Sequence, residues 1–172
     1  EPLMLRGAFW LSLAATLGIY AAMVTWSLPR LQEEAGGLRP FDLRPLGYTA
    51  EEARALLAAL DPAATEFYLT VQQRLDTVYP PLVALTLILA FALLLSRRWA
   101  AFAALAALAA AAFDLSENAA VAELLRSGPD ASGSDIARAN LWTILKSAAY
   151  TVAFSILLVA LGCRLLGRRR RR

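Results

Sequence analysis

Four long apolar stretches, separated by short polar or arginine-bearing breaks, organise the chain. Residues 7–28, 80–96, 99–120 and 139–163 approach or exceed the roughly 20 residues that a helix rising about 1.5 Å per residue needs to cross about 30 Å of hydrocarbon. The pattern predicts an all-α integral membrane protein, a four-transmembrane-helix bundle built as one membrane domain over residues 1–172. Residues 29–79 carry Pro29, Pro40, Pro45 and Gly36-Gly37, so they start as an extended, turn-rich segment. Thr49 with Glu52 three positions on makes a capping box and predicts a helix over about 50–60. Asp61-Pro62 starts another helix, which runs into Pro80-Pro81, where a bend is expected. These pieces predict a small helical extracytoplasmic cap. A short loop, about 127–135, precedes the fourth span, with Ser134 or Asp135 as its expected cap.

The third stretch places polar residues inside the bilayer. Residues 99–113 have no polar side chain except the Trp99 indole, yet they make only about 22 Å of helix. Arg97 and Arg98 pin one end, so the helix must continue through Asp114, Glu117 and Asn118. The same arithmetic draws Asp76 and Tyr79 to the end of the second span, and Lys146 lies about five residues inside the fourth. At 100° per residue, Asp114, Glu117 and Asn118 share an arc that Ala103, Ala107 and Ala110 continue. Small residues allow close helix approach. Lys146 and Tyr150 share a face of the fourth span with Thr143. A charge at bilayer depth costs at least about 2.5–3.5 kcal/mol, so these groups are expected to face inward and pair, Lys146 with Asp114 or Glu117. The candidate site is Asp76, Tyr79, Asp114, Glu117, Asn118, Lys146 and Tyr150. Lys146 is the sole lysine, so the carboxylates outnumber it, and a proton, a cation or water must remove the surplus.

Composition narrows the chemistry. Of 172 residues 59% are hydrophobic, histidine is absent and Cys163 is the single cysteine. That excludes His-ligated haem, the usual zinc sites, Ser-His-Asp or Cys-His nucleophiles and an internal disulfide. No cofactor is expected; if a metal binds, a hard divalent cation on Asp76, Asp114 and Glu117 is the choice. Arginine gives the orientation. Arg6, Arg97, Arg98, Arg164 and the run 168–172 gather at one end of the four spans, with Glu1 as the sole acid there. Both termini are therefore expected in the cytoplasm, in a bacterial inner membrane, with the tail 164–172 as a topology anchor that attracts anionic lipid, not nucleic acid. The chain opens at Glu1 and not Met, so a trimmed or replaced start is expected. Residues 7–28 are longer than the roughly 7–15 of a signal h-region and read as a retained span.

Three functions stay open on these residues. The first is binding of a cation, a proton or a polar lipid headgroup in a carboxylate/Lys pocket. The second is an accessory or assembly subunit, as a homo-oligomer or in a larger membrane complex, whose polar network is purely structural. The third is a lipid-active acid/base enzyme using Asp76 and Asp114.

Overall fold

A computed structural model describes residues 2–169; Glu1 and residues 170–172, part of the arginine tail, lie outside the described residues. The chain is all-helical, with no strand among the described residues. Helix α1 (Pro2–Ala22) passes through a π-helical turn (Met23–Ser27) into α2 (Leu28–Glu34). A 3-10 turn (Phe41–Leu43) and α3 (Ala50–Ala59) follow. Helix α4 (Pro62–Phe67) leads through a second π-helical turn (Tyr68–Gln72) into α5 (Gln73–Leu94), then come α6 (Arg97–Ser127) and α7 (Gly133–Arg169). Four helical runs, Leu3–Glu34, Pro62–Leu94, Arg97–Asp130 and Gly133–Leu166, are long and apolar enough to cross a membrane. Large apolar side chains such as Leu11, Leu17, Phe102, Leu105, Leu158 and Val159 point outward, as lipid-facing positions do.

Local chemistry accounts for the boundaries. Thr49 accepts from the Glu52 amide at 3.1 Å while the Glu52 carboxylate accepts from the Thr49 amide at 2.7 Å, which starts α3. That backbone bond holds the Glu52 carboxyl below its usual range. Asp61 accepts from the Ala64 amide and caps α4. Helix α7 starts earlier than the expected Ser134 or Asp135 cap: Ser132 Oγ accepts from the Asp135 amide at 3.1 Å and donates to its carboxylate at 2.7 Å. The Ser-x-x-Asp spacing therefore moves the cap upstream. The helix continues through Pro80 and Pro81, and a π-helical turn lies upstream at Tyr68–Gln72.

Helix α1 packs on α5, α5 on α6, and α6 on α7, with a smaller contact from α5 to α7. The interior has two apolar clusters. One, nearer the arginine-rich end, joins Val83, Leu87 and Phe91 of α5 with Ala103 and Ala107 of α6 and Ala153 of α7. The other packs the segment 31–68 onto Leu124 of α6 and Ile136 of α7, forming a cap over the opposite end of the bundle. Between the two clusters lies a layer of buried polar side chains.

Candidate functional site

Alanines build the layer by letting α6 and α7 approach. Ala107 and Ala110 on α6 and Ala139 and Ala153 on α7 are all fully buried. Lys146 of α7 consequently reaches two carboxylates of α6: Asp114 Oδ1 at 3.2 Å, and Glu117 Oε2 in a closer ion pair. The remaining oxygens are also bonded. Tyr150 Oη donates to Asp114 Oδ2 at 2.9 Å, and Thr143 Oγ1 donates to Glu117 Oε1. Glu117 is 1% exposed and Asp114 6%. Removing these ions from water costs several kcal/mol each, and this saturation of their oxygens offsets it.

Helix α5 joins the layer through a proline. Pro80 has no amide hydrogen, so it leaves the Asp76 carbonyl without its helical donor. Asn118 Nδ2 fills the gap, donating to the Asp76 carbonyl at 2.7 Å. Asn118 thus fastens α6 to α5 at one of the two registers that Pro80 and Pro81 leave open. The Asp76 side chain points elsewhere. Its Oδ2 accepts from Gln72 Nε2 at 3.0 Å, and Gln72 Oε1 accepts from Ser27 Oγ at 2.5 Å. Ser27 and Gln72 sit in the two π-helical turns, which meet here.

Asp76 also lies beside the cap. Its carboxyl has that of Asp42, in the 3-10 turn, as a charged neighbour. Neighbouring carboxylates repel each other, and a proton taken up between them removes the repulsion. Asp42 Oδ2 accepts from the hydroxyl of the fully buried Tyr68 at 2.5 Å, and that hydroxyl accepts from the Phe41 amide at 3.1 Å. The cap is further fixed by Asn140 of α7, whose Oδ1 accepts from the Tyr48 amide at 2.8 Å. Tyr48 is 7% exposed, and burial pushes its phenol well up. Its hydroxyl makes no hydrogen bond among the described residues. Thr143 lies beside it but commits its proton to Glu117.

The seven residues singled out from the sequence divide into three groups. Asp114, Glu117, Lys146 and Tyr150 form one directly bonded network. Asn118 and Asp76 meet through the Asp76 backbone, while the Asp76 carboxyl belongs to a second network with Gln72, Ser27 and Asp42. Tyr79 stacks on Tyr20 of α1, with centroids 6.1 Å apart, and has Asp114 and Lys146 as charged neighbours. The carboxylates of Asp76 and Asp114 have separate bonding partners. No group of three His, Cys, Asp or Glu side chains is placed to hold a metal among the described residues, Asp76, Asp114 and Glu117 included.

Asp42, Tyr68 and Ser27 join the site although sequence reasoning passed over them. One signal existed for Asp42: Phe-Asp-Leu occurs twice, at 41–43 and 113–115, and both aspartates lie in the layer. Chemically, the layer sets four acidic side chains, Asp42, Asp76, Asp114 and Glu117, against the ammonium of Lys146. Such a set can hold, exchange or share protons. No family model, curated protein or solved structure matches this chain.

Proposed function

We propose that the protein is a proton-binding membrane protein, whose carboxylate layer loads and releases protons and so governs how firmly the cap is held on the bundle. The observation that carries the reading is the placing of Asp42 and Asp76 as neighbours, the first held by the Tyr68 hydroxyl and the second by the Gln72 amide. One carboxyl belongs to the cap and the other to a bundle helix, and a shared proton turns their repulsion into a hydrogen bond. Lys146 neutralises Asp114 and Glu117 only in part, so the layer carries surplus acidity beside the shared proton. The arginine asymmetry favours a bacterial inner membrane with the arginine-rich end in the cytoplasm and the cap outside, where it meets the external pH.

A second reading has its own support. Tyr48 Oη is the sole buried side-chain N or O atom without a hydrogen-bond partner among the described residues, so the layer also suits a permanent structural lock in an assembly subunit. Infrared difference spectroscopy of the full chain across an acid-to-neutral titration separates the two. Proton binding predicts a protonated-carboxyl C=O band that persists to neutral pH, loses intensity as the pair titrates, and is removed by Asp76→Asn. Glu123→Gln, at an exposed position, leaves the band in place. A wild-type protein with no such band, or a band untouched by Asp76→Asn, overturns the proton reading and leaves the lock.

A further inference from the structure

The opposite half of the molecule has an unfilled seam. Helix α1 leans on α5, and a groove of about 600 Å³ remains between α1, α5 and α7. Leu13, Leu17, Val83, Leu87, Leu157 and Leu161 are among its lining residues. The threonine hydroxyls in the wall are satisfied internally: Thr16 donates to the Ser12 carbonyl at 2.9 Å and Thr86 to the Leu82 carbonyl at 2.8 Å. Apart from the Tyr20 and Tyr79 phenols, the surface offered is therefore apolar. Its size lies within the roughly 300–1,000 Å³ typical of ligand sites.

Toward the arginine-rich end this groove runs into a second hollow of about 630 Å³, with Phe9, Trp10, Leu93 and Leu94 lining both. The second hollow adds Arg6 of α1 and Arg164 of α7, and no carboxylate lines it among the described residues. Arg164 is fixed in place because it donates to the Leu93 carbonyl at the open C-terminal end of α5. A guanidinium has five N–H donors, so that bond leaves capacity for an oxyanion. Trp10 is 65% exposed at the mouth, the setting in which aromatic side chains mark a headgroup boundary.

We propose that the α1/α5/α7 seam binds one anionic glycerophospholipid, with its phosphate between Arg6 and Arg164 and an acyl chain along the groove. The apolar wall within membrane-spanning helices accepts a chain, and paired guanidinium groups at its end select a headgroup with net negative charge. This site is separate from the carboxylate layer and does not depend on the proton reading.

Native mass spectrometry of the full chain, mixed with phosphatidylglycerol or phosphatidylcholine of identical chains, tests the assignment. Wild type retains one phosphatidylglycerol with a preference of at least about tenfold over phosphatidylcholine, about 1.4 kcal/mol. Arg6→Gln and Arg164→Gln each cut that preference severalfold. Arg6 is exposed, so its variant tests the site even if Arg164→Gln disturbs the end of α5. Leu17→Trp fills the groove and abolishes retention of either lipid. Replacing the arginines of 168–172 with glutamine leaves the preference intact. Equal retention of the two lipids by wild type overturns the site. So does a preference that survives Arg6→Gln and Arg164→Gln but is lost with the tail.

Discussion

Lys146 is the residue on which the first network depends. It is the ammonium shared by Asp114 and Glu117, with its side chain 16% exposed and theirs 8% and 2%. Lys146→Met keeps most of the volume and leaves two carboxylates facing each other in a desolvated layer. Removing one partner of a buried pair costs about 3–5 kcal/mol, so this variant should lose stability of that order in detergent unfolding. Glu123→Gln is the internal comparison. Its partner Arg138 is half-exposed, and a pair of that kind contributes at most about 1 kcal/mol. Equal losses in the two variants would mean that the layer is open to water. Much of this network was legible beforehand, because helical periodicity and the shortness of the apolar run put Asp114 and Glu117 on an inward face at the depth of Lys146. Asp42 was not. Its surroundings, "RPFDLRPL", read as a turn-rich linker, and only the folding of the cap brings it to Asp76, in a helix that starts beyond α3.

At the scale of elements, the irregularities carry the design. A proline opens the α5 ladder at Asp76 and Asn118 closes it. Two π-helical turns bring Ser27 and Gln72 together, the kind of insertion that recurs at functional sites. The sequence shows the prolines but not these turns, because a π turn follows from tertiary fit and not from composition. The cap has a comparable point of attachment at Gly47. Its φ is +90°, and a Cβ built there would collide with Asn140 Oδ1, the atom that accepts from the Tyr48 amide. Gly47→Ala therefore combines backbone strain with loss of the seam between the cap and α7. The strain alone is worth about 1–3 kcal/mol. Amide hydrogen exchange should show faster exchange in α3 and the Phe41–Leu43 turn, while the α6 half near Ala107 keeps wild-type protection. Unchanged exchange in α3 would show that the cap is held without this contact.

The whole molecule is a membrane bundle with one arginine-rich end and one covered end. Four spanning helices were legible from apolar length alone, but their full extent was not. The helical runs are 32 to 34 residues long, about 50 Å at 1.5 Å per residue, against about 30 Å of hydrocarbon. Hydropathy marks where a helix meets the lipid boundary, whereas the helix itself ends where capping and packing end it. The excess lets α5, α6 and α7 carry their polar layer and still reach out to hold the cap. Charge favours one sidedness. Arg6, Arg97, Arg98 and Arg164 cluster at the end away from the cap, next to the spans, where basic residues bias an end to stay in the cytoplasm. With Cys163 replaced by alanine, a single cysteine at exposed Glu51 on α3 or at exposed Ser96, between α5 and α6, reports each end separately. In intact bacterial cells, a membrane-impermeant maleimide should label Glu51→Cys, and should label Ser96→Cys only after permeabilisation. The reverse pattern would place the cap in the cytoplasm. The Asp42–Asp76 pair would then face cytoplasmic pH, and the anionic lipid seam would open to the outer leaflet.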